Sequence, residues 1–385
     1  MTPAAPLRLP HPPHERRAFS FTMVSSRYIT LPLDEGLVVA PQRGHRLFVM
    51  NGAARFIWER RMDGIADRDI PKLMAAHYEI GIEQAQRDFC TALRRWQAEG
   101  LVLAPGKTFH HQIAGLRFDV HYQDEGVQSA IVPILGHLEL STPPDCADRP
   151  GMEFNLAVAE ATYILRAEGI EVHRSAALDD IIEKLTLAVI DYVYESIEWL
   201  VSLHAAAVGN EAACVLIPGA SGAGKSTLTA ALVASGAKYL TDDLVLLDKT
   251  ELDVVPVPSA LTLKSGSWTA LELRIPGLSS LPSYWRADRE VRYWAPPAAA
   301  VAGQPIPAKA IVFPHYQGDA QPTLAPLSAL EALHRIVAAP CTVKGPITPE
   351  TVDRLTGWAS RTTSYVLTYN SLDDAVAIVE RLLAA

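Results

Sequence analysis

The sequence lacks several features that would place this chain in a specialised class. Only four of its 385 residues are cysteines, and Cys90, Cys146, Cys214 and Cys341 form no CxxC pair. That spacing argues against a structural zinc site and a disulfide framework, and it suits a reducing cytoplasm. No apolar run approaches the roughly 20 residues that span a bilayer. We therefore predict a cytoplasmic protein without a membrane partner.

Positive charge is also scarce. The 34 Lys and Arg residues are outnumbered by 43 Asp and Glu residues, and the net charge is −9. Nucleic-acid-binding proteins cluster Lys and Arg, so no nucleic-acid partner is expected. The start, from Met1 to Arg17, is rich in Pro and His and has no apolar core of the kind found in secretory signals. We expect residues 1–27 to form a flexible tail.

Residues 28–106 have the pattern of a small winged-helix-like domain. Two strand-like runs, Gly36–Val39 and Arg46–Met50, flank a turn and predict a hairpin. Three amphipathic helical patterns follow, with Asn51 and Asp67 as expected N-caps of the first two. Gly100 is expected to end the third helix.

Residues 109–385 mix strand and helix patterns, which predicts an α/β (α+β) domain. Leu116–His121 and Ser129–Leu140 have the composition of strands, whereas Leu178–Leu200 has that of a long helix. The chain is expected to finish with a strand at Ser364–Tyr369 and a helix at Leu372–Leu383.

A phosphate-binding motif lies in the middle of this second domain. Two apolar runs, Leu203–Val208 and Ala212–Ile217, flank a hairpin-like Gly-Asn pair, and the motif G-x-x-x-x-G-K-S follows directly, before a helical pattern at Lys225–Ser235. Glycines let successive N–H groups of such a loop point at phosphate oxygens, and the helix N-terminus favours the same charge. The alternative is a chance Gly-rich turn. We predict a nucleotide-binding P-loop formed by Gly219, Ala220, Ser221, Gly222, Ala223, Gly224, Lys225, Ser226 and Thr227.

The side chains around this loop suggest phosphoryl-transfer chemistry. Lys225 would contact the β- and γ-phosphates, and the Ser226 hydroxyl would bind Mg²⁺. Asp242 and Asp243 follow a short apolar run, and two carboxylates beside a triphosphate can bind a metal and accept a proton. The alternative is an Asp pair in a surface turn. His204 lies in an apolar run and, by pattern alone, is more typical of a core histidine.

Further basic residues are weaker candidates for contacts to substrate phosphate. Arg286, Arg289 and Arg292 alternate with aromatics between Ser283 and Trp294. They could form a substrate clamp, although a solvated surface loop with two packed tryptophans is the interpretation that we favour. Lys264 is a further candidate.

The segment from Leu203 through the P-loop to Leu240-Thr-Asp-Asp243 resembles the catalytic domain of HPr kinase/phosphorylase, and more closely the HPr-kinase-related proteins of peptide-modification gene clusters. The resemblance implies a P-loop fold related to phosphoenolpyruvate carboxykinase, with Asp242 as general base, Asp243 as a magnesium ligand and His204 as an active-site histidine. Members of the family often form rings, so a homo-oligomer is possible. The stretch Ser259–Gly266 has no acid where the bacterial regulators have an acidic signature strand, so phosphorylase activity and HPr as substrate are not expected.

Residues 28–105 resemble PqqD-like recognition domains for ribosomally made, modified peptides. The resemblance is carried by Met50–Trp58, two amphipathic helices and Gly100-Leu-Val. It implies that a precursor's leader peptide binds as an added strand. The expected contacts are Leu47, Phe48, Val49, Arg94 and Arg95.

Together these patterns predict an ATP- and Mg²⁺-dependent kinase that phosphorylates a hydroxyl, most plausibly of Ser, on a precursor peptide recruited through its leader. Other modification enzymes of the same pathway are possible partners. Two alternatives stay open: a small-molecule kinase with an accessory interaction domain, and an ATPase switch or scaffold that presents a peptide to another enzyme. A DNA-binding regulator is a more distant alternative.

Overall fold

The computed structural model describes residues 22–25, 28–42, 46–142, 151–220 and 222–384. Its chain is a mixture of helices and several sheets, which confirms the predicted α/β class. It divides into two compact units, Met1–Val102 and Leu103–Ala385. Among the described helices, none is long and apolar enough to cross a membrane.

The first unit combines a four-stranded antiparallel sheet with three helices, as the winged-helix-like pattern predicts. The strands adjoin one another in chain order, so the predicted hairpin is present as the third and fourth strands. The strands are β1 (Thr22–Ser25), β2 (Tyr28–Leu33), β3 (Gly36–Pro41) and β4 (Phe48–Met50). The helices are α1 (Gly52–Met62), α2 (Ile70–Tyr78) and α3 (Ile82–Ala98).

Trp58 of α1 lies at the centre of this unit. Its ring meets Tyr28 of β2 edge-on at 5.1 Å between centroids and Trp96 of α3 at 5.7 Å. Edge-to-face pairs add to the free energy gained by burying aromatic area. The Tyr28 hydroxyl also donates to the Leu101 carbonyl at 2.9 Å. One buried indole therefore joins the sheet to the first and third helices.

Two predictions for this unit need correction. Asn51 caps α1 as expected, because its side chain accepts from the Ala54 N–H at 2.9 Å. Asp67 does not cap α2: that helix begins at Ile70, and the Asp67 carboxylate instead accepts from Arg61 Nε at 2.7 Å. The predicted tail, residues 1–27, contains β1, which pairs with β2. Residues 1–21, 26 and 27 lie outside the described residues.

The second unit begins with a five-stranded sheet backed by two helices. The strands adjoin in chain order, and only the second and third are parallel. They are β5 (Lys107–Ile113), β6 (Leu116–Tyr122), β7 (Met152–Ala159), β8 (Thr162–Ala167) and β9 (Ile170–Ser175), with helices α4 (Glu125–Leu135) and α5 (Leu178–Ser196).

The prediction of a strand at Ser129–Leu140 is wrong, since most of this stretch belongs to α4 and a following 3₁₀ turn at Gly136–Leu138. The Asp124 side chain caps the helix by accepting from the Val127 N–H at 2.9 Å. Val127, Ile131 and Ile134 are buried one helical turn apart. Helical spacing of the buried side chains therefore outweighed the strand propensity of Val and Ile.

Three more sheets complete this unit. The strands are β10 (Trp199–Leu203), β11 (Ala205–Gly209), β12 (Cys214–Pro218), β13 (Lys238–Thr241), β14 (Val245–Asp248), β15 (Val254–Val255), β16 (Leu261–Lys264), β17 (Ser283–Arg286), β18 (Arg289–Trp294), β19 (Ala308–Tyr316), β20 (Thr323–Leu327), β21 (Cys341–Val343) and β22 (Thr363–Tyr369). Their orders in the three sheets are β15-β14-β10-β21, β16-β18-β17 and β13-β11-β12-β19-β22-β20. The helices are α6 (Lys225–Ala234), α7 (Ser265–Leu271), α8 (Ala329–Val337), α9 (Pro349–Arg361) and α10 (Leu372–Ala384).

The region before the P-loop motif differs from its prediction in detail. Strands β11 and β12 form the expected antiparallel hairpin. The run Leu203–Val208 is not one strand, because the chain leaves β10 in one sheet and enters β11 in another, with His204 between them. The long helix also ends earlier than predicted, at Ser196, so that Trp199 and Leu200 start β10.

Trp58→Ala should destabilise the first unit by about 3–5 kcal/mol, the usual cost of removing a buried aromatic side chain. Urea unfolding of the full chain, followed by hydrogen exchange in peptides from residues 52–98, would measure the loss. Leu73→Ala, a change at a partly exposed position of α2, is the control and should cost under about 1 kcal/mol. Equal effects of the two changes would contradict the central role of Trp58.

Candidate functional site

The loop from Gly219 to Gly224 connects β12 to α6. Gly222 and Gly224 have φ values of 89° and 91°, in the left-handed region that suits glycine. Gly224 occupies the N-cap position of α6, and the first intrahelical bond runs from the Leu228 N–H to its carbonyl at 2.9 Å. The N–H groups of the first turn have no carbonyl partner within the helix. Strand, glycine-rich loop and helix N-terminus therefore combine into an arrangement that suits an anion.

The side chain of Lys225 folds back over this loop and is almost fully buried. Its ammonium donates to the Gly219 carbonyl at 2.9 Å and lies 3.1 Å from His204 Nε2. Burial lowers the pKa of Lys225, while the Asp243 and Asp242 carboxylates act in the opposite direction. The Lys225 ammonium group thus lies beside Gly219, the first residue of the loop. Ser221, a predicted loop residue, lies outside the described residues.

Strand register brings His204 to the loop. Ala205 pairs with Pro218 in the β11–β12 hairpin, so the next position along places His204 opposite Gly219. The backbone N–H of His204 donates to the Pro340 carbonyl at 3.0 Å, which fixes the chain where it changes sheets. An ammonium group only donates hydrogen bonds. Nε2 must therefore accept from Lys225, which leaves Nδ1 to donate to the Asp243 carbonyl at 3.1 Å.

Asp242 and Asp243 occupy a second crossing between the same two sheets. The chain leaves β13 and enters β14, and the Leu244 N–H donates to the Asp242 carbonyl at 2.9 Å. Asp243, the central residue of this three-residue turn, has φ 67°. That form of γ-turn is rare and strained. The Thr241 hydroxyl supports it by donating to the Leu244 carbonyl at 2.7 Å.

The two carboxylates have different environments. Asp243 is exposed, whereas Asp242 is only 6% exposed. Burial and the neighbouring Asp243 charge raise the pKa of Asp242 to about 7, against opposing effects of Ser226 and Lys225. Within the described part of the chain, neither carboxylate oxygen of Asp242 has a hydrogen-bond partner of ordinary geometry. A buried carboxylate with free acceptor capacity is the kind of group that receives a cation or a proton.

The donor set fits magnesium bound together with phosphate. Mg²⁺ prefers oxygen ligands and is commonly held by one or two carboxylates plus substrate phosphates and water. The Ser226 hydroxyl and the Asp pair supply such oxygens beside the loop. No cluster of three or more His, Cys, Asp or Glu residues that could hold a metal by itself occurs among the described residues. The Ser226 hydroxyl and the Asp pair therefore suit a metal that is shared with a nucleotide.

The weaker basic candidates divide into two groups. Lys264, at the end of β16, is near enough to Lys225 that its charge contributes to lowering the pKa of Lys225. The arginines lie on the β17–β18 hairpin, so the favoured interpretation of a solvated surface loop with two packed tryptophans is wrong: the segment forms two paired strands, and Trp285 is 61% exposed. Arg286 pairs with Glu183 at 3.3 Å and Arg289 with Asp288 at 3.4 Å, whereas the Arg292 guanidinium lies 4.0 Å above the Trp268 ring.

Tyr369 lies next to the loop, a position that is not predicted from the sequence. It ends β22, and a Cβ atom built on Gly224 would lie 3.0 Å from its hydroxyl. Its position at the carboxyl end of a strand predicted correctly, Ser364–Tyr369, was the available signal. Which strand end would adjoin the P-loop could not be known without the strand order.

In the first unit, the residues predicted to contact a peptide differ in their exposure to solvent. Leu47 and Val49 are 72% and 74% exposed, whereas Phe48 packs against the core that contains Trp58. No strand pairs with the outer edge of β4 in the described part of the unit. Arg94 and Arg95 are exposed on α3, and Arg95 pairs with Glu99 at 2.9 Å.

Comparisons with known proteins bear on the two units differently. Residues 36–102 match the family described as coenzyme PQQ synthesis protein D (PqqD). Among solved structures, the Hpr(Ser) kinase/phosphatase from Coxiella burnetii aligns at 13% sequence identity and a TM-score of 0.23, over 47% of this chain and 96% of that one. A TM-score this low does not establish a shared fold. No match to a curated protein was found.

Asp242→Asn should stabilise the fold at alkaline pH. The unfolded chain ionises this carboxyl near 3.8 and the folded chain near 7, so the wild type loses stability as the pH rises between these values. Removing the charge should raise the free energy of unfolding on the order of 2 kcal/mol at about pH 8 and change it little at about pH 4. Denaturant unfolding at both pH values measures this. Asp288→Asn, at an exposed turn, should show no such difference, and a gain of equal size at both pH values would contradict the buried charge.

Proposed function

We propose that this chain is an ATP-dependent kinase that phosphorylates a Ser hydroxyl of a ribosomally made precursor peptide, held through its leader by the first unit. The observation that carries the proposal is the convergence of a glycine-rich loop, a buried lysine, a histidine and an aspartate pair at one place. Each of these groups has a role in phosphoryl transfer. The match of residues 36–102 to PqqD supports the peptide part of the proposal.

In the proposed reaction, the loop N–H groups and Lys225 bind and orient the triphosphate. Positioning and charge stabilisation are the main contributions of a protein to phosphoryl transfer. Ser226 and Asp243 would hold Mg²⁺, which neutralises charge that develops on the phosphate oxygens. Lys264 is near enough to add positive charge to the same place.

Asp242 is the proposed general base. Its pKa of about 7 leaves a substantial carboxylate fraction at neutral pH that can still bind a proton. The acceptor hydroxyl would pass its proton to this carboxylate while its oxygen attacks the γ-phosphorus and the β–γ bridging oxygen leaves with ADP. His204 is neutral when Nε2 accepts from Lys225, and it orients that ammonium toward the phosphates. The contact would also stabilise charge in the transition state.

The first unit would capture the leader as an added strand. β4 ends its sheet, and an exposed strand edge offers N–H and C=O groups to an extended peptide. Leu47 and Val49 would contact alternate side chains of that peptide. Binding by the leader raises the local concentration of the acceptor hydroxyl, so weak contacts to the modified segment would suffice.

Phosphate transfer tests the catalytic part of the proposal. Wild-type chain incubated with ATP, Mg²⁺ and a leader-bearing peptide should add one phosphate mass to the peptide. Lys225→Ala and Asp242→Asn should each lower kcat/KM roughly 100-fold or more, because each removes a group that acts in the transition state. Lys249→Ala, an exposed lysine of the same unit, should leave it unchanged.

Two results would contradict this scheme. Phosphate on the peptide that persists in Asp242→Asn would exclude this residue as the base. ATP hydrolysis without any phosphorylated peptide, across peptides of different leaders, would favour the switch or scaffold alternative.

Leader capture has a separate test in binding. Leu47→Asp combined with Val49→Asp should weaken leader-peptide binding roughly tenfold or more, because it places two charges along the proposed edge. ATP affinity should not change. Leu33→Asp, at a 51% exposed position of β2, is the matched control. Fluorescence anisotropy of a labelled leader measures the affinity, and unchanged binding by the double variant would locate the peptide elsewhere.

A further inference from the structure

Three parallel strands end at the edge of the sheet where the P-loop begins. β12 runs parallel to β19, and β19 runs parallel to β22. Their last residues are Pro218, Tyr316 and Tyr369, and Tyr316 pairs with Tyr369 in register. Ligands of open α/β sheets bind outside the carboxyl ends of such strands. Two tyrosines therefore stand at the ligand edge next to the loop.

The two tyrosines differ in accessibility. Tyr369 is buried, and its hydroxyl reaches the space beside Gly224. Its ring supports Tyr316 edge-on, with 5.7 Å between ring centroids and 69° between ring planes. Tyr316 is 63% exposed. One exposed aromatic ring is thus held by a buried one that itself lies against the loop.

The strand order places these rings on the side of the loop away from the proposed chemistry. In the order β13-β11-β12-β19-β22, His204 precedes β11 and the Asp pair follows β13, on one side of β12. Tyr316 and Tyr369 end β19 and β22, on the other side. A nucleotide whose γ-phosphate lies near Lys225 and Asp242 would extend its nucleoside away from them, toward the tyrosines.

We propose that Tyr316 is the platform on which the base of the nucleotide stacks. This inference rests on the proposed nucleotide-binding function of the loop and specifies the other end of the same ligand. Stacking on an aromatic ring strengthens binding roughly tenfold or more and tolerates every base, since each base has a π-face. Tyr316 therefore selects a nucleoside triphosphate over inorganic tripolyphosphate without selecting adenine over guanine.

The test compares ligands with and without a base. Isothermal titration of the full chain with Mg²⁺ and ATP, GTP or inorganic tripolyphosphate gives three affinities. Tyr316→Ala should weaken ATP and GTP roughly tenfold each and leave tripolyphosphate unchanged. Tyr316→Phe should retain wild-type affinity, because it keeps the ring. Trp285→Ala, at a 61% exposed aromatic on the β17–β18 hairpin, is the matched control and should change none of the three.

The outcomes separate this inference from the proposed function. Unchanged ATP affinity in Tyr316→Ala, or an equal loss for ATP and tripolyphosphate, would overturn the platform while the loop's phosphate binding stands. If the wild type binds neither ligand, and Lys225→Ala alters nothing, the proposed function is overturned and the platform with it. Thermal unfolding of each variant identifies any loss that comes from misfolding.

Discussion

The site depends on how the strands of two sheets pair. The chain passes between these two sheets twice, and strand pairing places the two crossings next to each other. β10 continues into β11 at His204, and β13 continues into β14 at the Asp pair. Because β10 pairs with β14 and β11 pairs with β13, the two crossings must lie side by side. The β11–β12 hairpin places Gly219, the start of the glycine-rich loop, at the same end of these strands. The pairing of these strands thus brings His204 next to Asp243, which lies 39 residues further along the chain.

The electrostatics of this junction lower the stability of the fold. Burial lowers the pKa of Lys225 and raises that of Asp242, because it disfavours the charged form of each side chain. The opposite charge of the other residue partly offsets this effect in both cases. A buried carboxylate without hydrogen-bond partners is costly in a folded protein. Natural proteins retain such groups where function requires them and offset the cost elsewhere. Here the strands on either side of the crossings are largely apolar and mostly buried, and their packing can hold the groups in place.

What the sequence could predict followed from local signals. The β11–β12 hairpin, the helix beginning at Lys225 and the cap at Asn51 each depend on residues close together in the chain. The strand predicted at Ser129–Leu140 is wrong because Val and Ile occur in either element, and the cap at Asp124 starts a helix instead. The cap expected at Asp67 failed because the helix begins at Ile70, which puts Asp69 at the N-cap position, and the Asp67 carboxylate pairs with Arg61 instead. The positions of Tyr316 and Tyr369 beside the loop could not be predicted, because they depend on which strands become neighbours.

The backbone of Asp243 determines which amino acids this position can accommodate. A left-handed φ of 67° is tolerated by Asp and Asn far better than by residues with bulkier or branched side chains. A change to Ala would therefore mix conformational strain with the loss of a carboxylate, and a change to Gly would relax the turn and loosen the neighbouring Asp242. Asn alone removes the charge while keeping the backbone shape. Although Asp243 is exposed to solvent, its backbone torsion angle therefore restricts this position to very few amino acids.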